Sequence, residues 1–97
     1  MASFQLSGPA VRDLREICDW IAEDDPVAAD RVMLDLRDAI ERLVDVPGLG
    51  HVRDDLGDPT LRAWTVHRYV IIYKSDADPL TVVRVLSGYR DIGAIFE

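Results

Sequence analysis

Apolar residues recur at helical spacing in two stretches of the first half of the chain and at alternating spacing in three runs of the second. Val11, Leu14, Ile17, Cys18 and Ile21 form one helical stripe, with Arg12, Asp13, Arg15, Glu16 and Asp19 facing elsewhere. Ser7 followed by Gly8-Pro9 reads as this helix's start: an oxygen to cap free N–H groups, then a proline where a missing N–H costs little. Glu23-Asp24-Asp25-Pro26 stops the first helix and starts a second, with Asp25 as cap. Ala29, Val32, Met33, Leu36, Ile40, Leu43 and Val44 supply the second stripe, and Pro47-Gly48 ends it. So tight a link between two amphipathic helices predicts an antiparallel hairpin.

Phe4 to Ser7 reads as a short extended opening, and the glycines and prolines between Pro47 and Pro59 as a connecting loop. Strands are predicted at Leu61 to Val66, Tyr69 to Lys74 and Leu80 to Ser87, all rich in Val, Ile, Tyr, Trp and Thr. Their short links make them antiparallel neighbours, since a parallel crossover needs about a dozen residues. Asp91 to Glu97 reads as a last helical turn. The expected fold is α+β, in the order β-α-α-β-β-β: an N-terminal strand, a helical hairpin and a three-stranded antiparallel meander. It forms one domain spanning residues 1–97.

Strand alternation carries a functional expectation. Tyr69, Ile71 and Tyr73 share one face of their strand, with Val70 and Ile72 on the other. In the last run Val83 and Val85 share a face opposite Leu80, Val82, Arg84 and Leu86. Two helices cover only one face of a small sheet, so the other is expected to expose apolar residues beside arginine and to be completed by a docked partner. Two registers are open for the first run. With Leu61, Ala63 and Thr65 toward the helices, Trp64, Arg62 and Val66 face away beside Arg84; the contrary register buries Trp64. Trp20 is assigned to packing within the hairpin.

Charge narrows the function classes. The 97 residues carry a net charge of −7, with a single cysteine. An acidic chain is a poor unaided nucleic-acid binder, one cysteine excludes a disulfide framework, and no apolar run reaches the roughly 20 residues that cross a bilayer. A cytoplasmic protein is expected. Residues 1–46 hold eleven acids against five arginines. Residues 60–90 reverse the sign, with Arg62, Arg68, Lys74, Arg84 and Arg90 against only Asp76 and Asp78. His51 and His67 lack partners at metal-ligand spacing, Cys18 lies on the apolar stripe of the first helix, and Asp54, Asp55 and Asp58 read as a solvated loop; no metal or cofactor is expected. Arg84 interrupts an apolar strand, so its charge must reach solvent or an acid, either a salt bridge to the helices or a partner.

Several ordered segments resemble the ParE branch of the ParE/RelE toxin superfamily. They are Leu6-Ser7-Gly8-Pro9-Ala10 with Asp13-Leu14-Arg15-Glu16-Ile17, Trp20-Ile21-Ala22-Glu23, Asp25-Pro26-Val27-Ala28-Ala29, and Ile40-Glu41-Arg42-Leu43 before Pro47-Gly48-Leu49-Gly50. The strongest are Arg68-Tyr69-Val70-Ile71-Ile72-Tyr73 and Val83-Arg84-Val85-Leu86-Ser87-Gly88-Tyr89-Arg90-Asp91. The resemblance implies a toxin of a bacterial toxin–antitoxin pair, with the fold expected above. It would inhibit growth by binding a cellular target, DNA gyrase, and form a hetero-oligomer with a ParD-like antitoxin. Arg62, Trp64, Arg84, Arg90 and Phe96 are the expected antitoxin- or target-binding residues. The alternatives are a ribosome-dependent mRNA endoribonuclease of RelE type and a decayed, non-toxic antitoxin-binding module. Against the nuclease, Val70 fills the slot of a strand arginine in RelE-like enzymes, and Phe96, lacking a hydroxyl, replaces their C-terminal tyrosine. Arg90 matches the arginine after the final strand. Ser87 stands where many ParE-like chains carry histidine.

Overall fold

The computed structural model describes residues 3–96. Its elements are β1 (Phe4–Leu6), α1 (Gly8–Ala22), α2 (Pro26–Asp45), β2 (His51–Val52), β3 (Leu61–Val66), β4 (Tyr69–Lys74), β5 (Leu80–Ser87) and α3 (Ile92–Ile95), with 3-10 turns at Pro47–Leu49 and Asp54–Leu56. Both helix starts form as their sequences dictate. Ser7 Oγ accepts from the Ala10 N–H at 3.1 Å, and Asp25 Oδ1 accepts from the N–H groups of Val27 and Ala28 at 3.1 Å each. The sheet order is β1-β5-β4-β3-β2, with β1 parallel to β5 and the other pairs antiparallel. The meander is thus extended at both edges. The two-residue β2, within the expected loop, pairs His51 and Val52 with Ala63 and Arg62. Preceded by Gly50 and too short to alternate, it leaves no periodic signal.

The hairpin packs on one face of the sheet. Ala10, Leu36, Ile40, Leu43, Tyr69, Ile71, Tyr73, Val82 and Val85 form the principal core there. Trp64 and Val66 pack against the same core, which selects the register that turns Trp64 toward the helices. Val11 points outward (40% exposed), because the stripe of α1 runs through Ala10, Leu14, Ile17 and Ile21 instead. Trp20 does not pack inside the hairpin either: it is 65% exposed on the last turn of α1.

The opposite face is not bare. Leu56, Leu61, Ala63, Val70, Ile72, Leu86 and Ile92 form a second cluster, with Val83, Ile95 and Phe96 against it. The Asp54–Leu56 turn and α3 cover the sheet where an open flank was expected; Glu97 lies outside the described residues. A β-bulge reorders β5. Ile72 pairs with Arg84 but Tyr73 pairs with Val82, leaving Val83 as the extra residue. Val85 therefore joins Leu80 and Val82 in the principal core, while Leu86 joins Val83 in the second cluster. Simple alternation across the whole strand assigns Val85 and Leu86 to the wrong faces.

Candidate functional site

The bulge falls where β1 runs out. Leu6 is the last residue of β1 paired with β5, opposite Val82; the Ser7 N–H then donates to the Val82 carbonyl at 3.0 Å and Ser7 Oγ to that of Val83 at 2.6 Å. Beyond that point no strand partners the outer edge of β5 among the described residues, and Asp13 of α1 takes over. Its Oδ2 accepts from the Val85 N–H at 3.0 Å and from Arg84 Nε at 2.7 Å, while Oδ1 accepts from Arg84 Nη2 at 2.9 Å. Asp13 is 7% exposed. Arg84 is held in its charged form, its pKa raised by the hydrogen bonds it donates to Asp13 against the smaller opposing effect of burial. Both fork donors of Arg84 engaged here serve this pair.

Asp13, Glu16 with Ile17, and Trp20 follow one another at helical spacing and form a wall above the end of β5. The facing wall is the turn after β5. Its Arg90 N–H donates to the Ser87 carbonyl at 3.1 Å, the Tyr89 N–H to Ser87 Oγ at 3.3 Å, and the Gly88 N–H to the Arg68 carbonyl at 2.7 Å. This anchored turn holds Tyr89 outward, 85% exposed. Between the walls lies a cleft of about 450 Å³, floored by Tyr69, Val85 and Leu86 and rimmed by Trp20, Arg68, Tyr89 and Arg90. A second hollow of about 920 Å³ shares Trp20, Arg68 and Tyr89 with it and continues past Arg53 and His67. Behind Trp20 the rim turns acidic at Glu23, Asp24 and Asp25.

Of the five expected binding residues, only Arg90 lies on this cleft. Arg62 donates to the Gly50 carbonyl at 2.8 Å, and Trp64 packs against the principal core with its ring 6.3 Å from that of His51. Arg84 is clamped by Asp13, and Phe96 folds onto the second cluster. Sequence reasoning missed Asp13, Trp20, Arg68 and Tyr89. The signal for Asp13 was an acid three residues beyond Ala10 on the true stripe. For Tyr89 it was the Ser-Gly turn ending a strand. Among the described residues no three His, Cys, Asp or Glu side chains gather as a metal site, and no helix is long and apolar enough to cross a membrane.

The arrangement matches a known group of proteins over most of its length. Residues 4–92 fit the family model for the ParE toxin of the type II toxin–antitoxin system parDE. The chain belongs to the ParE toxin family. Among solved structures, the chromosomal ParDE toxin–antitoxin system from P. aeruginosa superposes with a TM-score of 0.71 at 20% identity, covering 90% of this chain and 96% of that one. At that identity the likeness speaks for the fold, and it agrees with the ParE topology of strand, helical hairpin and sheet. No curated protein sequence matches this ParE toxin chain.

Proposed function

We propose that this ParE-family toxin acts in the cytoplasm by binding rather than catalysis, with DNA gyrase as its target and a ParD-like antitoxin as its neutralising partner. The family match over residues 4–92 carries this reading, and the likeness to a solved ParDE system supports the type of antitoxin. The state of the arginines speaks for binding. Phosphodiester cleavage needs a proton-transfer group within hydrogen-bond reach and a cation aimed at the developing charge. Arg84 is committed to Asp13, and Phe96, besides lacking a hydroxyl, is packed against the sheet.

The experiment is a gyrase supercoiling assay with purified toxin, run beside a ribosome-programmed mRNA digestion. The expected result is loss of supercoiling with accumulation of cleaved DNA, intact mRNA, and restored activity when the antitoxin is added. Unaffected supercoiling at excess toxin overturns the gyrase assignment. Fragments cut in the ribosomal A site overturn the non-catalytic reading, and induction without growth arrest overturns the toxin reading itself.

A further inference from the structure

We infer that the cleft between the last turns of α1 and the Ser87–Arg90 turn docks a peptide segment bearing one large apolar side chain beside carboxylates. The inference rests on the reading above that another polypeptide neutralises this protein, and it assigns the grip to a surface.

Exposure supplies the first argument. The two most solvent-exposed aromatic side chains, Trp20 and Tyr89, stand on opposite walls of one cleft. Large apolar groups held that far into water and around a depression mark contact surfaces. The floor of Tyr69, Val85 and Leu86 can receive an apolar anchor.

Local charge supplies the second. On a chain of net charge −7, this rim carries Arg68 and Arg90, with Arg53 and His67 in the adjoining hollow. Asp13 lines the cleft but is neutralised by Arg84, so Glu16 is the one acid there without an ion pair among the described residues. Neither Arg68 nor Arg90 forms an ion pair among the described residues. The chemistry complementary to this rim is a carboxylate over each guanidinium and an apolar group between the aromatic rings. The acidic Glu23–Asp25 turn behind Trp20 sets polarity: the occupant's acids lie toward β4 and β5, and a neutral or basic residue lies beyond Trp20.

A single nucleic-acid strand also uses aromatic rings and arginines, but it needs a basic track along several phosphates. Glu16 inside the cleft and the three acids at its far end interrupt such a track. A peptide is favoured.

The test is fluorescence anisotropy with a labelled 12-residue peptide holding one phenylalanine and four glutamates. A matched peptide with lysines for glutamates and a 12-nucleotide oligothymidylate run beside it, using the full chain. The acidic peptide is expected to bind and the lysine peptide not. Arg68→Glu, Arg90→Glu and Trp20→Ala should each weaken binding about tenfold or more. Arg31→Glu, exposed on α2 outside the cleft, should leave it unchanged. Circular dichroism verifies folding, and Tyr89→Ala, on an exposed turn, supplies a further variant if Trp20→Ala unfolds. Absence of peptide binding, equal binding of both peptides, tighter binding of the oligonucleotide, or indifference to all three substitutions overturns the assignment. Pull-down with the antitoxin separates it from the reading it rests on. A complex formed equally well by an Arg68→Glu, Arg90→Glu double variant overturns the cleft and spares the neutralisation. Failure of any antitoxin to bind, with the peptide still bound, does the reverse.

Discussion

Asp13 serves three donors from the closing end of the sheet while carrying a charge almost out of water. Removing Arg84 strands that charge, so Arg84→Ala should lower unfolding free energy by about 3 kcal/mol in urea denaturation. The Asp13→Ala, Arg84→Ala double variant should lose clearly less than the sum of the two single losses. Tyr73, fully buried, poses a different residue-scale problem. Its hydroxyl donates to the Pro47 carbonyl at 2.6 Å and accepts from the Gly50 N–H at 2.9 Å, tying the end of the hairpin to the sheet. Tyr73→Phe should cost about 1–3 kcal/mol. Gly50 is fixed by the same contact: a Cβ there would lie 2.6 Å from Tyr73 Oη and 2.9 Å from the Ala63 carbonyl oxygen. Burial raises the Tyr73 pKa above its ordinary 10.0. Above pH 10 the unfolded tyrosine therefore loses its proton before the folded one does. Stability from this group is intact below pH 10 and falls as pH rises through the folded value. Denaturation across that window should show the decline in the wild type and its loss in Tyr73→Phe.

At the level of elements, the second cluster depends on a four-residue helix. Ile92 of α3 is 3% exposed against the sheet, so Ile92→Ala should cost about 2 kcal/mol and raise dye binding to exposed apolar surface. An unchanged melting temperature and dye signal would mean that α3 contributes no cover. The limits of the sequence are also clearest here. Ser7, Asp25 and Pro26 announce both helix starts through local chemistry, and β3, β4 and β5 declare themselves by composition. The tail's return over the sheet has no local signature, because Leu56 and Ile92 meet only after the chain has folded. The bulge is equally silent: Val83 reads as one more strand residue, and only the pairing across to Ile72 and Tyr73, with Asp13 bonded to the Val85 N–H beyond it, shows the register shift. The cleft residues escaped for the same reason, since Trp20 and Tyr89 are 69 positions apart in sequence.

Across the whole molecule, charge and topology set behaviour. The chain is acidic at −7, yet the cleft rim carries Arg68 and Arg90. Association with a negatively charged segment should slow steeply as salt rises, through the on-rate more than the off-rate, in stopped-flow mixing. A rate independent of ionic strength would show that the local positive field does not steer encounter. Closing the sheet also requires Phe4–Leu6 to meet Leu80–Val82 from the far end of the sequence. Such distant pairing favours slow folding for a domain this small. The carboxylate of Asp13 has one more consequence. Where β1 stops, β5 would otherwise offer a naked rung to any passing extended chain, the usual seed of amyloid-like stacking. A buried acid seated on that rung insulates the sheet against polymerising with its own kind.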